Sequence, residues 1–350
     1  MIINIDKKKI GENKPIFLIA EAGVNHNGSY AIGRKLIDVA VNSGADAVKF
    51  QTFKADNIII PNGPKAKYHL ETTGSNSKLS WFELLKTQEI SRDMHIKLID
   101  YCKKKKIIFL STPYDNESAD LLDELGVCAF KIASTDNDNY PFLKYVAKKN
   151  KPIIVSTAMS NLPEVLEAEK VIKKTGNKQY AILQCTGNYP SRIEDSNIKV
   201  IESYKNIFKC PIGYSDHTMS DISSIMAVAK GAKIIEKHFT IDQKLFGPDH
   251  RMSANPNQLK DFFYKIRQAE KALGSGDKEV LKCEKANRLK LKKSLVTSRK
   301  ISKGERIKLA DINIKRPGNG IRPIEMSKYL NKKTKFNLKK NTVLKSKMFK

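Results

Sequence analysis

The chain contains a single tryptophan, and its five cysteines (Cys102, Cys128, Cys185, Cys210 and Cys283) form no C-x-x-C pair. An odd count without paired spacing argues against a disulfide framework and against a cysteine-held structural zinc. Cys128 and Cys185 sit beside apolar residues and read as small core side chains. No apolar run is long enough to cross a bilayer. The N-terminus, Met1 to Lys9, turns charged at once and lacks the apolar centre of a signal peptide. A soluble, cytoplasmic protein with no membrane partner is therefore expected. Acidic residues are scarce too: 37 Asp plus Glu stand against 64 Lys plus Arg, a formal net charge of +27. Such an excess raises nucleic acid as a partner. From Asp277 to Lys350, however, 24 basic residues face 6 acidic ones, mostly lysine with little aromatic interleaving. That pattern fits a solvated surface better than a base-reading one, so nucleic acid is not expected. A basic protein still attracts small anionic substrates.

Hydrophobic residues make up 40% of the 350, enough for one large domain and a small one. Short apolar runs recur at Ile16–Ala20, Ala47–Phe50, Ile107–Leu110, Val127–Ile132, Pro152–Val155, Tyr180–Leu183, Pro211–Tyr214 and Lys233–Glu236. Runs of this kind suit strands buried on both faces of a parallel sheet. Amphipathic stretches lie between most of them, at 31–43, 94–105, 118–125, 143–149, 163–175 and 220–230. Gly44, Gly126, Gly176 and Gly231 close several of these stretches, as helix C-caps prefer. Eight strands alternating with helices predict a (β/α)₈ TIM barrel, an α/β fold. An open doubly wound sheet competes, but no G-x-G-x-x-G follows the first strand. The stretch Lys54 to Ser91 exceeds a normal βα connection and is expected to be an active-site loop. A break follows Gly274-Ser275-Gly276. The predicted division is a barrel over residues 1–277, a linker over 278–290, and a small domain of short strands over 291–350.

Polar groups gather just after the apolar runs, and barrels of this class build active sites at strand C-terminal ends. Lys49 and Lys131 interrupt otherwise apolar strands. A buried ammonium needs an anion, and a bound phosphate and carboxylate would supply one. Ser111, Thr112, Ser134, Ser156 and Ser215 would add neutral donors. His217 and His238 close successive strands and would lie side by side in a closed barrel. Two imidazoles with nearby oxygens suit a divalent ion, with Glu21 completing the shell directly or through water. The bland readings stand beside these. Lys49 can snorkel to solvent, Asp136 can form a turn, Glu21 can cap a helix, and each histidine can be a satisfied hydrogen-bonding residue.

The segments Ile19-Ala20-Glu21-Ala22-Gly23-Val24-Asn25-His26-Asn27-Gly28, Val48-Lys49-Phe50-Gln51, Phe109-Leu110-Ser111-Thr112-Pro113, Lys131-Ile132-Ala133-Ser134, Gly213-Tyr214-Ser215-Asp216-His217 and Glu236-Lys237-His238-Phe239-Thr240 resemble the sialic acid synthase family. Gly247-Pro248-Asp249-His250 and Lys315-Arg316-Pro317-Gly318-Asn319-Gly320 add to the match, which runs in order over nearly the whole chain. The resemblance implies a (β/α)₈ barrel followed by a small antifreeze-like (SAF) domain. It implies a transferase that condenses phosphoenolpyruvate (PEP) with an open-chain N-acylated amino sugar to give a nonulosonic acid. Lys49, Gln51, Thr112, Lys131, Ser134, Ser156 and Ser215 would hold PEP. His217 and His238 would bind a divalent metal, Mn²⁺ before Mg²⁺ or Co²⁺. Glu21, Asp136, Tyr189 and Asp249 would contact the sugar or position water, with Glu21, Lys49, Lys131 and Asp249 as the catalytic set. Arg316 would reach the barrel of a partner subunit and bind the N-acyl group, which implies a domain-swapped homodimer.

Two residues depart from the family pattern. Asp136 stands where many bacterial members carry Glu, and Gly187 stands where some place Asn. Both bear on the sugar, for which N-acetylmannosamine, its 6-phosphate and a 2,4-diacetamido-2,4,6-trideoxy hexose all remain candidates. The rival chemistries are another PEP-condensing synthase of 2-keto sugar acids and a class I aldolase with Lys131 as Schiff base.

Overall fold

The computed structural model describes residues 1–65, 69–70 and 79–350, in two units, Met1–Gly274 and Ser275–Lys350. Part of the long stretch 54–91, expected as an active-site loop, lies outside the described residues. In the first unit a hairpin comes first, β1 (Ile2–Ile5) paired antiparallel with β2 (Lys8–Gly11). The sequence reading saw only charge there. Ile3 and Ile5 alternate with the exposed Ile2 and Asn4, Ile10 pairs with Ile3 across the hairpin, and all three are fully buried.

Eight parallel strands then follow among the described residues: β3 (Phe17–Gly23), β4 (Ala47–Thr52), β5 (Ile108–Pro113), β6 (Phe130–Ile132), β7 (Ile153–Ser156), β8 (Tyr180–Cys185), β9 (Ile212–Asp216) and β10 (Ile234–His238). The ladder runs β5-β4-β3-β10-β9-β8-β7-β6, so β10 pairs with β3, and β5 and β6 at the two ends lie against each other. The sheet is a nearly closed barrel. The helices between the strands carry the expected punctuation. Ser29 caps the helix Tyr30–Ser43 by accepting from the Ile32 amide, and Gly44 ends it at φ 82, a left-handed conformation that costs glycine least.

Strand alternation sorts the side chains into two cores. Leu18, Ala20, Val48, Phe50, Phe109, Ile132, Val155, Ile182, Tyr214 and Ile235 point outward into the main core against the helices. Phe17, Ile19, Ala47, Ile154, Ala181, Leu183 and Ile234 point inward and form a second core with Ile3, Ile5 and Ile10 of the hairpin. The hairpin therefore plugs the N-terminal end of the barrel. Gly213 is an inward position where size matters: a Cβ there would lie 2.4 Å from Leu183 Cδ2 and 2.6 Å from the Ile234 carbonyl oxygen. No side chain larger than hydrogen fits between β8 and β10 at that level.

The second unit pairs β11 (Ser294–Thr297) antiparallel with β12 (Ile312–Lys315) around a small core of Leu295, Ile301, Ile307, Ile321, Leu338 and Leu344. The segment 278–290, expected as a linker, falls in this unit and carries most of the helix Lys285–Leu291.

Candidate active site

At the C-terminal ends of the strands the barrel opens into a cavity of about 560 Å³. Its floor is built from the next inward residue of each strand after the apolar layer. Glu21, Lys49, Thr112, Lys131, Ser156, Cys185, Ser215 and Glu236 all line it, and all are buried. Lys49 Nζ lies 2.8 Å from Glu21 Oε2 and 3.7 Å from Glu236 Oε1. Lys131 Nζ lies 3.9 Å from that same Glu236 oxygen and donates to Ser156 Oγ at 2.6 Å. Lys49 also donates to Thr112 Oγ1 at 3.2 Å. The four charged groups form a cluster of two ammoniums and two carboxylates.

From the sequence, a bound phosphate and carboxylate are expected to supply the anion facing the lysines. The protein supplies two carboxylates itself, and Glu236 had not been singled out. Its signal was available: on a strand with period 2, Glu236 must share the face of His238 while Lys237 turns the other way. Ser111 also proves to point outward. Its hydroxyl lies 2.7 Å from Thr52 Oγ1, behind the barrel wall, and Ser111 does not line the cavity.

Electrostatics set the groups apart. Burial, opposed by Lys49 and reinforced by Glu236, raises Glu21 to about 7. Burial also pushes Glu236 up, but Lys131, Lys49 and the Ser215 hydroxyl outweigh it and hold that carboxyl below its ordinary value. Burial pulls Lys49 down, yet the two carboxylates win and keep it firmly protonated. Lys131 is the exception: burial and the neighbouring Lys49 charge lower it despite Glu236. Asp249, buried near Lys49, rises to about 6.

The two histidines stand over this floor. Their rings are 5.5 Å apart at 66°, and the Tyr189 ring lies 4.1 Å from His217 and 5.7 Å from His238. The Thr186 carbonyl can only accept, so at 2.6 Å it places the His217 proton on Nδ1. Ser215 spends its own proton on Glu236 Oε1 at 3.0 Å, which leaves only the Cys185 thiol, 3.7 Å away, facing the His217 Nε2 lone pair. His238 Nδ1 is buried without a hydrogen-bond partner, and the nearest carboxylate oxygen, Asp249 Oδ2, is 3.9 Å away. Burial holds His217 neutral down to about 4 and His238 well below its ordinary value. Two neutral imidazoles, one facing only a weakly donating thiol at Nε2 and the other unpartnered at Nδ1, fit a divalent ion. Among the described residues, no group of three or more His, Cys, Asp or Glu side chains forms a complete cage.

The remaining candidates divide. Gln51, Thr112, Ser134, Tyr189 and Asp249 line the same cavity. Asp136 does not; burial raises its carboxyl, which accepts from Asn139 Nδ2 at 3.0 Å. Arg316 lies in the second unit, exposed just after β12. The upper wall is apolar, with Val24, Phe53, Ile58, Ile59, Trp81 and Leu85 among its residues. Four of these come from the described parts of the long 54–91 stretch.

The motif Asn25-His26-Asn27 has a structural task in this setting. Asn25 Nδ2 donates to the Phe239 carbonyl at 2.8 Å and to Ser253 Oγ at 3.0 Å, and Ser253 Oγ donates to the Asp249 carbonyl at 2.6 Å. These bonds tie the loop after β3 to the loop that carries Asp249.

The NeuB family model matches residues 36–278, and the SAF domain model matches 292–350. The chain belongs to the NeuB family. It is 45% identical over 333 residues to the N,N'-diacetyllegionaminic acid synthase of Campylobacter jejuni, covering 95% of this chain and 99% of that one. It is 40% identical over 341 residues to the enzyme of the same name from Legionella pneumophila, covering 96% and 95%. The crystal structure of the N-acetylneuraminic acid synthetase from Leptospira borgpetersenii, in complex with citrate, superposes with a TM-score of 0.72 at 33% identity, over 82% of this chain and 95% of that one. Within the NeuB frame, the barrel and the SAF domain correspond to the two units described above.

Proposed function

We propose that this NeuB-family enzyme condenses PEP with an open-chain N-acylated amino sugar, releasing inorganic phosphate and a nonulosonic acid. The observation that carries this reading is the buried pair Lys49 and Lys131, with Thr112, Ser134, Ser156 and Ser215 around them, on the floor of a cavity large enough for both substrates. Two ammoniums in a low-dielectric site bind a phosphate ester with a neighbouring carboxylate far better than they would in water. They also fix its three carbons against the second substrate.

The chemistry balances as follows. The C2=C3 electron pair of PEP attacks the sugar aldehyde carbon and forms the new C–C bond, while the aldehyde C=O opens and its oxygen takes up a proton to become a hydroxyl. Positive character then develops at C2 of PEP and is captured by water. The C2–O bond to phosphate breaks, leaving a 2-keto acid and inorganic phosphate. Glu21, half-protonated near neutrality, would take a proton from that water, whose two hydrogens end on the new hydroxyl and on phosphate. A divalent ion on His217 and His238 would supply Lewis-acid polarisation of the aldehyde oxygen. Tyr189 and Asp249, which line the same cavity, would contact the sugar.

The diacetamido-trideoxy hexose is the sugar we favour. The two relatives named above make diacetyllegionaminic acid. The apolar upper wall suits a deoxygenated, methyl-ended sugar, and among the described lining residues Lys49 and Lys131 are the only lysines or arginines, both committed to the floor. The remaining parts of the proposal are Mn²⁺ as the ion, a cytoplasmic site of action, and a homodimer in which Arg316 of one copy binds the N-acyl group in the barrel of the other. Among the described residues, no helix is long and apolar enough to cross a membrane.

The deciding assay mixes purified enzyme, PEP and Mn²⁺ with each candidate sugar and follows phosphate release. Fastest turnover is expected with the 2,4-diacetamido-2,4,6-trideoxy hexose. Silence with every N-acylated amino sugar would refute the reading. Chelation is expected to abolish turnover and Mn²⁺ to restore it. The depressed Lys131 amine also suits an imine-forming aldolase. Borohydride in the presence of pyruvate is expected to trap nothing, since the PEP route needs no imine.

A further inference from the structure

Immediately behind the two imidazoles, on the outer face of the barrel, lies a second buried charge pair that the chemistry above does not use. Asp216 and Lys237 are directly opposite each other on β9 and β10. Alternation turns both away from the cavity, one residue before His217 and one before His238. Asp216 Oδ2 is 3.3 Å from Lys237 Nζ, and the two side chains are 0% and 7% exposed. A charge pair this deep is a weak source of stability, because desolvation cancels most of the attraction. What it touches explains its placement better.

Lys237 donates to the carbonyl oxygens of Thr218 and Ser220. Asp216 Oδ1 accepts from the Thr218 amide and the Thr218 hydroxyl, each at 2.8 Å, and Oδ2 accepts from Ser224 Oγ at 2.7 Å. The turn 217–220 is thus held by its amide, its hydroxyl and two of its carbonyls. The His217 carbonyl in turn accepts from the Ser191 amide at 2.8 Å, which joins the Tyr189 loop to the same turn.

We infer that Asp216 and Lys237 are positioning residues: an outer-face clamp that fixes the His217 backbone, and through it the His217 ring against Thr186 and Tyr189, in the geometry the divalent ion needs. Partners that orient a metal-binding imidazole commonly change metal affinity 10–100-fold when removed. This inference rests on the proposed metal site, and its test separates the two.

The variant that removes both charges without leaving either unpaired is Asp216→Asn/Lys237→Met. Three quantities are to be measured on the full chain: thermal unfolding, Mn²⁺ affinity by electron paramagnetic resonance without substrates, and the His217 tautomer by ¹⁵N NMR of the metal-free protein. The His217 signal is assigned by its loss in His217→Gln. The expected result is a folded protein with Mn²⁺ affinity lowered about 10–100-fold and a His217 ring that mixes tautomers, where the wild type shows Nδ1–H alone. Wild-type Mn²⁺ affinity and an unmixed Nδ1–H ring in the folded variant would overturn the clamp. If the wild type itself binds no Mn²⁺, the metal assignment fails, and the tautomer alone decides the clamp. Should the double variant not fold, Thr218→Val keeps the charge pair and deletes only the hydroxyl link. It is expected to lower Mn²⁺ affinity by a smaller factor and to loosen the ring, and no change in either would refute the inference.

Discussion

The two ends of the barrel interior are built from the same strands yet have opposite chemistry. Moving two residues along β3 changes Ile19 to Glu21. The same step changes Ala47 to Lys49 on β4, Ile154 to Ser156 on β7 and Ile234 to Glu236 on β10, and Ala129 to Lys131 at β6. Below the step, a hairpin seals a dry apolar plug. Above it, four buried charges surround a cavity. The lower half obeys the ordinary rule that burying apolar area stabilises. The upper half breaks it, and its polar groups are what a reaction needs. Stability and chemistry are therefore stacked along one axis, a single pleat apart.

The sharpest way to test that division is to strip charge from the upper layer. Lys131→Met is expected to lower kcat for phosphate release on the order of 10³-fold while the far-ultraviolet circular dichroism stays unchanged. Near-wild-type turnover would mean that the upper layer does not do the chemistry. A second test concerns Glu236, which shares one oxygen between both lysines. Glu236→Gln leaves two buried ammoniums with only Glu21, and unfolding is expected to become easier by about 3 kcal/mol. Addition of PEP should recover part of that loss, since a bound anion replaces the missing carboxylate. If the variant proves as stable as the parent, the four charges do not act as one cluster.

The lower layer answers to different changes. Ile5→Ala cuts a fully buried plug residue and is expected to cost roughly 2–4 kcal/mol in urea unfolding. Turnover per folded molecule at low temperature should stay within about two-fold of the parent, by the independence of distant sites. A large drop in kcat with intact folding would join the two layers into one functional unit.

How far this was readable in advance follows from the same pattern. The eight strands and most helices were legible because their apolar runs are continuous and their ends carry glycine or a capping side chain. Lys49, Lys131, His217 and His238 were legible because charge inside an apolar strand is rare and costly. Glu236 was missed because it shares a tripeptide with Lys237, and only the inward-outward alternation tells the two apart. The hairpin was missed because Lys7, Lys8 and Lys9 dominate its composition, while Ile3 and Ile5 stand out only when counted with period 2 and Ile10 only through its pairing with Ile3. The family resemblance implied a sugar contact for Asp136, while the residues themselves equally allowed a turn former. In three dimensions Asp136 turns to Asn139, a contact that depends on a tight turn after β6.

The smallest effect expected comes from a histidine outside both layers. His95 is wholly buried behind β4. Its Nδ1 lies 2.9 Å from the Ser91 carbonyl, which can only accept, so Nδ1 carries the proton. Its Nε2 lies 2.9 Å from Thr52 Oγ1, the hydroxyl that also meets Ser111. Nε2 must therefore accept, and a second proton would break this chain. Burial, helped by Lys54 and opposed by the Ser91 bond, lowers the ring from 6.5 to about 4. The unfolded chain takes up a proton near 6.5, whereas the folded chain refuses it until about 4. Stability from this group is thus complete above pH 6.5 and drains away as pH falls toward 4. His95→Gln can accept from Thr52 and donate to Ser91 without titrating. The urea midpoint of the variant should fall less steeply between pH 6.5 and pH 4 than that of the parent, by up to about one proton's worth of slope. Parallel slopes would show that the ring is already protonated in the folded state and that the Thr52–Ser111 chain runs the other way.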